Sequence, residues 1–260
     1  MKKELMKICR HEKLAFNIFE MELEGDLVHL IEKPGQFVHI KVDDRFDVLL
    51  RRPISIAEFQ KEDRKMKLIY RAEGVGTKRL STKKAGDTLD VLGPLGNGFS
   101  IEEMNRGNKA LIVGGGIGVP PLYELSKQLV RKGVFVTHVL GFQSKDVVFY
   151  EQEFEQLGKT FITTADGSYG IKGFVTDVIR EEQFKFDTLY SCGPTPMLAA
   201  IEKMFPDKNV YISLEERMGC GIGACFACVC PVKEDETGLA YKKICTDGPV
   251  FRAGEVVYSC

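Results

Sequence analysis

The rhythm of hydrophobic and polar positions changes near residue 100. Before it, short runs dominate. FVHIKVD and MKLIYRAEG alternate or run apolar with β-branched and aromatic residues, and LLRRPISIAEF lies between them. Turn signals recur at Lys33-Pro34-Gly35, Ala85-Gly86-Asp87 and Leu92-Gly93-Pro94. Helical pattern is confined to a short stretch after Thr77. About six short strands with regular turns predict a small antiparallel barrel, placed over residues 1–102.

From residue 106 the pattern alternates on a longer scale. The apolar run Ala110–Val113 leads into GGGIGVPP, and the helical pattern LYELSKQLVRKG ends at Gly133. Strand VFVTHVLGF, helix EQEFEQLG, strand TFITTAD, helix FVTDVIREEQ and strand FDTLYSCG follow. Strands alternating with helices predict a parallel α/β unit, placed over residues 103–209. Residues 210–260 form a third unit, rich in glycine and cysteine. A unit that small needs a staple to be stable.

Composition narrows the function. The 260 residues are 44% hydrophobic and 28% charged, enough apolar material for more than one core. Lys and Arg number 36 against 37 Asp and Glu, a formal charge of −1, which argues against a nucleic-acid coat. No apolar run reaches the ~18 residues of a membrane span. The start, MKKELMKICRHEKL, has no apolar signal region. A cytoplasmic protein is therefore expected. In that compartment clustered cysteines read as metal ligands or redox groups. Six of the 8 cysteines fall at Cys220, Cys225, Cys228, Cys230, Cys245 and Cys260, while Cys9 and Cys192 stand alone.

The sharpest motif is Met218-Gly-Cys220-Gly-Ile-Gly-Ala-Cys225-Phe-Ala-Cys228, with Cys245 at a distance. C-x4-C-x2-C is the spacing with which plant-type ferredoxins hold a 2Fe–2S cluster. Gly221 and Gly223 let the backbone approach the cluster, and four thiolates would fold the segment as zinc folds small metal domains. Structural zinc is the alternative, but zinc sites usually pair two short cysteine hooks. A disulfide framework fits the compartment poorly. For the fourth ligand Cys245 is preferred to Cys230, because it comes from a separate segment and opens the turn Thr246-Asp247-Gly248-Pro249. Cys230, Cys260 and Cys9 are expected to be packing residues or free thiols. Ile222, Phe226 and Val229 lie in a loop too short to bury them all, which marks a partner-binding surface.

Two more groups of signals point to nucleotides. In the barrel, Arg51-Arg52-Pro53-Ile54-Ser55 offers an arginine fork for a pyrophosphate and a hydroxyl for a flavin ring edge. Gly74-Val75-Gly76-Thr77 would present backbone N–H groups to phosphate with Thr77 as N-cap, and Tyr70-Arg71 can stack on or pair with a nucleotide. In the α/β unit, Gly114, Gly116 and Gly118 form a phosphate cradle before Pro120-Pro121, and Cys192-Gly193-Pro194 ends a strand where ligands collect. No acidic residue follows the next strand at its tip, where Gln143 and Ser144 stand; NADH is still preferred to NADPH, because Asp146 beside Lys145 opposes a 2′-phosphate. The 4 histidines show no acid–base constellation, so no catalytic residue of that kind is expected.

R-P-x-S and G-x-G-T in a barrel, followed by GGGIG-x-x-P and C-G-P in an α/β unit, resemble the ferredoxin–NADP reductase superfamily. The tail MGCGIGACFACVC with CTDGPVF resembles that of the electron-transfer subunits of class 1B dihydroorotate dehydrogenases. The resemblance spans essentially the whole chain. It implies FAD held at Arg52, Pro53, Ile54, Ser55, Ile69, Tyr70, Arg71, Gly76 and Thr77. It implies a 2Fe–2S cluster on Cys220, Cys225, Cys228 and Cys245, and NAD(H) as substrate. It also implies a heterotetramer with two copies of an FMN-containing dihydroorotate dehydrogenase catalytic subunit, in pyrimidine biosynthesis. Other flavin/iron–sulfur subunits of the superfamily, such as sulfide dehydrogenase or an NADH-dependent ferredoxin:NADP oxidoreductase, are the alternative.

Overall fold

The computed structural model of the chain describes residues 1–43 and 48–258. Its first third is a closed barrel of β1 (Lys2–Ala15), β2 (Ile18–Glu24), β3 (Phe37–Lys41), β4 (Arg52–Gln60), β5 (Lys65–Arg71) and β6 (Thr88–Leu95). The order around the barrel is β1-β2-β5-β4-β3-β6, and every pairing is antiparallel. Asn17, at φ +57°, turns β1 into β2, a left-handed position that asparagine tolerates. Closure leaves no free sheet edge. Met6, Ile8, Met21, Leu23, Val38, Ile40, Ile56, Met66 and Leu68 fill the interior. The short helix α1 (Val75–Leu80) lies between β5 and β6.

The expected α/β unit follows. Its elements are β7 (Lys109–Gly115), α2 (Pro120–Arg131), β8 (Phe135–Phe142), α3 (Glu151–Glu155), β9 (Lys159–Thr164), β10 (Ile171–Lys172), α4 (Val175–Glu182), β11 (Thr188–Cys192), α5 (Thr195–Met204) and β12 (Asn209–Ser213). The residues of β7 after Lys109 are all buried, as a central strand covered on both faces must be. Its neighbours are β8 on one side and β11 on the other, so the strand order reverses at the ends of β7 and β11. β12 straddles position 209, where the α/β unit was expected to end, and pairs in parallel with β11.

The tail adds β13 (Val229–Pro231), β14 (Tyr241–Lys243) and β15 (Val250–Arg252). β13 and β14 form a two-stranded antiparallel ribbon. β15 instead joins the large sheet antiparallel to β12, giving the order β10-β9-β8-β7-β11-β12-β15. The cysteine segment is thus tied into the sheet as well as into its own ribbon. Among the described residues no helix is long and apolar enough to cross a membrane.

Candidate functional site

Cys220 and Cys225 lie in the loop after β12, Cys228 directly precedes β13, and Cys245 follows β14. The ribbon register places Val229 opposite Lys243, and the Ile244 N–H donates to the Cys228 carbonyl at 2.9 Å, which carries Cys245 to Cys228. The Cys220 thiol interacts with that of Cys225, and the Cys228 thiol with that of Cys245. Backbone N–H groups converge on them. Ile222 and Ala224 donate to Cys220 Sγ at 3.4 and 3.3 Å, and the Cys220 N–H donates to Cys225 Sγ at 3.4 Å. Burial pushes the Cys220 thiol up, but these donors outweigh it and bring its pKa to about 7. Burial and the Cys228 thiol hold Cys245 at about 11.

This donor set suits a two-iron cluster, which takes two thiolates per iron and N–H donors to sulfur. Among the described residues no three His, Cys, Asp or Glu side chains gather as one ion would require. Cys230 on β13 is buried and donates to the Lys242 carbonyl at 3.5 Å, and burial pushes its thiol up to about 11. Cys9 donates to Glu24 Oε2 at 3.4 Å, and Cys260 lies outside the described residues.

The tail is anchored to the barrel by Asn97. Its side-chain amide donates to the Thr246 and Asp247 carbonyls at 3.0 and 3.2 Å, and its N–H donates to the Gly248 carbonyl at 2.6 Å. The outer face of the loop keeps Ile222, Phe226 and Val229 exposed by 44, 50 and 40%. Tyr241, with its ring centroid 5.3 Å from that of Phe226, extends this patch.

The two flavin signals meet. The Arg52 guanidinium lies over the Cα of Gly76, in space that a Cβ there would occupy, so a side chain at 76 would displace the fork. Arg51 plays a different part. It pairs with Asp90 at 2.8 Å and donates to the His39 carbonyl at 3.2 Å, so it holds β3, β4 and β6 together. Pro53, Ile54 and Ser55 are half-buried opposite His39, Val38 and Phe37. Two expectations need correction. Thr77 is not the N-cap: Gly74 is, and the Thr77 hydroxyl reaches back to accept the Glu73 and Gly74 N–H groups, each at 3.2 Å. These two N–H groups are therefore already engaged. Nor can Tyr70 stack on a nucleotide. Its ring is buried in the barrel beside Phe19, and its hydroxyl is paired with His11 Nε2 at 2.9 Å. Ile69 is buried too, which leaves the backbone of this strand end and the exposed Arg71 to meet a ligand. The arginine fork on a bare glycine, beside the half-buried Ser55 hydroxyl, fits FAD. Arg52→Ala should weaken FAD binding roughly ten- to a hundredfold, the value of a hydrogen bond to a charged group. Retention on dialysis measures it; unchanged FAD content would reduce Arg52 to a strand-edge residue.

The two nicotinamide signals also meet. Gly118 packs so closely on the Cys192–Gly193 peptide that a Cβ there would lie 2.5 Å from the Cys192 carbonyl oxygen. Gly114 packs against Val119, Leu122 and Leu140, so it serves the strand–helix contact. Gly116, at φ +52°, is half-buried with an open face, and of the three glycines it is the one placed as a cradle requires. Both loops end adjacent strands at the reversal of strand order, where ligands of such sheets bind. Burial drives the Cys192 thiol well up, so it stays protonated. Glu215, two residues past β12, was not legible as a site residue. Its side chain is exposed; desolvation by the protein around it raises its pKa, and Arg71 opposes the rise. Its charge also acts on Cys192, so it lies near both the flavin and the nicotinamide signals. Its position past a strand end of the sheet was the available clue.

A barrel with a pyrophosphate fork, an α/β unit with a nucleotide cradle and a tail with four clustered thiols define a flavin- and iron–sulfur-dependent reductase. The family model described as the iron-sulfur cluster binding domain of dihydroorotate dehydrogenase B matches residues 215–257, and that of the oxidoreductase NAD-binding domain matches 112–203. The dihydroorotate dehydrogenase B (NAD(+)) electron transfer subunit of Geobacillus sp. (strain WCH70) is 63% identical over 257 residues, 99% of each chain. That of Bacillus cereus (strain G9842) is 59% identical with the same coverage. The chain belongs to the family of dihydroorotate dehydrogenase B electron transfer subunits. Among solved structures, that of an NADH-dependent reduced ferredoxin-NADP oxidoreductase is similar with a TM-score of 0.86 and 32% identity, covering 98% of this chain and 90% of that one. The ferredoxin-NADP+ reductase of Plasmodium falciparum shares the fold at a TM-score of 0.67 and 13% identity, covering 82% and 96%.

Proposed function

We propose that this chain is the electron-transfer subunit of a dihydroorotate dehydrogenase B in pyrimidine biosynthesis. It carries electrons between an FMN-containing catalytic subunit and NAD by way of a 2Fe–2S cluster and FAD. The observation that carries this reading is the 63% identity over 99% of both chains. The alternative oxidoreductase is matched at 32% and is not favoured.

Nicotinamide exchanges two electrons as hydride and an iron–sulfur cluster exchanges one at a time, and flavin supplies the conversion between them. The protein's part is to bind, orient and exclude water. Arg52 and the Gly76–Thr77 backbone hold the pyrophosphate, while Pro53, Ile54, Ser55 and the Ile69–Arg71 strand end border the flavin. Gly114 and Gly118 shape the nicotinamide loop, Gly116 opens it, and Cys192, Gly193 and Pro194 close its far side. Cys220, Cys225, Cys228 and Cys245 hold the cluster beside the exposed apolar patch, where the catalytic subunit docks in a heterotetramer. The compartment is the cytoplasm, where these thiols stay reduced.

Glu215 puts a negative charge near both Arg71 of the flavin strand and Cys192 of the nicotinamide loop. Glu215→Gln should slow reduction by NADH about tenfold or more, ~1.4 kcal/mol in the barrier per decade. It should not weaken the fold at neutral pH. A carboxyl whose folded pKa is raised stabilises the fold below its unfolded pKa and loses that contribution as pH rises through the folded value. A variant of unchanged NADH kinetics but lowered stability would assign Glu215 to structure instead. For the function itself, the purified chain should reduce artificial acceptors with NADH and leave dihydroorotate untouched. Oxidation of dihydroorotate by the chain alone would contradict the reading.

A further inference from the structure

His39 is the one polar side chain of β3 that is fully buried. Alternation along the strand sends Val38 and Ile40 into the barrel core, while Phe37 faces outward into a second core that contains Cys228, Cys245 and Leu214. His39 shares the outward face with Phe37, and their rings meet edge to face with centroids 6.2 Å apart. Neither ring nitrogen has a hydrogen-bond partner of standard geometry. Burial pushes its pKa down to about 4, Arg51 adds to this, and the Cys220 backbone acts on the ring as an acceptor. An apolar residue would fill this space without orphaned polar atoms, each of which costs about 1–3 kcal/mol.

The ring's other neighbour explains it. Gly221, between the first cysteine and the rest of its loop, has φ +74°, and a Cβ there would lie 2.5 Å from His39 Nδ1. The imidazole therefore occupies the space on which the cysteine loop rests. On the other side His39 is in register with Pro53 of the flavin motif, and Arg51 fixes its carbonyl. One ring spans the joint between the flavin motif and Cys220.

We propose that His39 is a positioning residue whose imidazole seats the Cys220–Gly221 end of the cluster loop against β3 and β4 and so sets the cluster's surroundings relative to the flavin. The proposal rests on the reading of Cys220 as a cluster ligand. It concerns the space the ring fills and its polar contact with the Cys220 backbone, not protonation.

The test compares His39→Phe, which keeps an aromatic ring and removes both nitrogens, with His39→Asn, which restores a donor near Nδ1. FAD and iron per chain, the electron paramagnetic resonance spectrum of the dithionite-reduced cluster and its midpoint potential are measured in the full chain. His39→Phe should keep FAD, change the g values and shift the potential, and His39→Asn should move both back toward wild type. Loss of iron alone, with FAD retained, supports the same role in a stronger form. Wild-type g values and potential in His39→Phe would overturn it, as would loss of FAD with an unchanged cluster signature. If His39→Phe does not fold, His39→Leu takes its place, and wild-type g values and potential in that variant overturn the proposal. Cys220→Ala tested in parallel separates the two readings. If that variant keeps its iron and spectrum, the ligand assignment fails, whatever His39 does.

Discussion

Alanine at Cys220, Cys225, Cys228 or Cys245 should abolish the 2Fe–2S absorbance, while Cys230→Ala should keep it. Each of the four removes one of the thiolates that a two-iron cluster needs. Cys230 is not among them; its thiol is committed to the Lys242 carbonyl. The FAD site should survive all five changes. Arg52 and Gly76 belong to the barrel, and the tail stays tied to the sheet through β15 and to the barrel through Asn97. Iron and flavin per chain read the outcome directly. Iron lost from the Cys230 variant and kept in the Cys245 variant would reverse the assignment.

Glu58→Ala should be the most damaging single change away from the cofactors. Glu58 is 5% exposed on β4, three residues past Ser55. Its carboxylate pairs with Lys67 of the barrel at 2.8 Å and with Lys127 of α2. It thus holds the α/β unit against the strand that carries the flavin motif. Burial alone would raise its pKa, but the two ammonium groups reverse this and hold it below the ordinary carboxylate value. Removing the carboxylate leaves two half-buried ammonium groups unpaired, a loss of ~3–5 kcal/mol. A depressed carboxyl pKa contributes stability that is present above the unfolded value and lost as pH falls through the folded one. Unfolding by denaturant should show the wild-type chain losing stability below pH 4.5, the ordinary value for this carboxyl, and the variant lacking that part of the slope. A loss under about 1 kcal/mol would class the contact with exposed ion pairs.

Much of this architecture is legible in the chain itself. Strand-length runs with frequent turns announced the barrel, and the strand–helix alternation announced the α/β unit. Cysteine spacing marked the loop that carries three of the four thiols. What escaped was whatever depends on contacts between distant segments. β15 lies in the cysteine tail, and nothing local says that its three residues will extend the sheet of another unit. Tyr70 looked available because it precedes a glycine motif, but strand alternation turns its ring into the barrel. His39 is one polar letter in the apolar run FVHIK, and its importance appears only when Gly221 arrives beside it from the far end of the chain. Glu215 likewise gains meaning only from Arg71 and Cys192. Short motifs report local backbone needs; buried polar residues at joints report the tertiary structure, which spacing does not encode.

The most direct test of the central claim is reconstitution. The purified chain, loaded with FAD and iron, is mixed with an FMN-containing dihydroorotate dehydrogenase subunit, and NAD reduction by dihydroorotate is followed together with co-elution. Neither protein alone should couple dihydroorotate to NAD, and the mixture should elute as one complex that does. Separate elution without an NAD-linked rate, or an unchanged rate in a mixture made with the Cys225→Ala chain, would contradict the account.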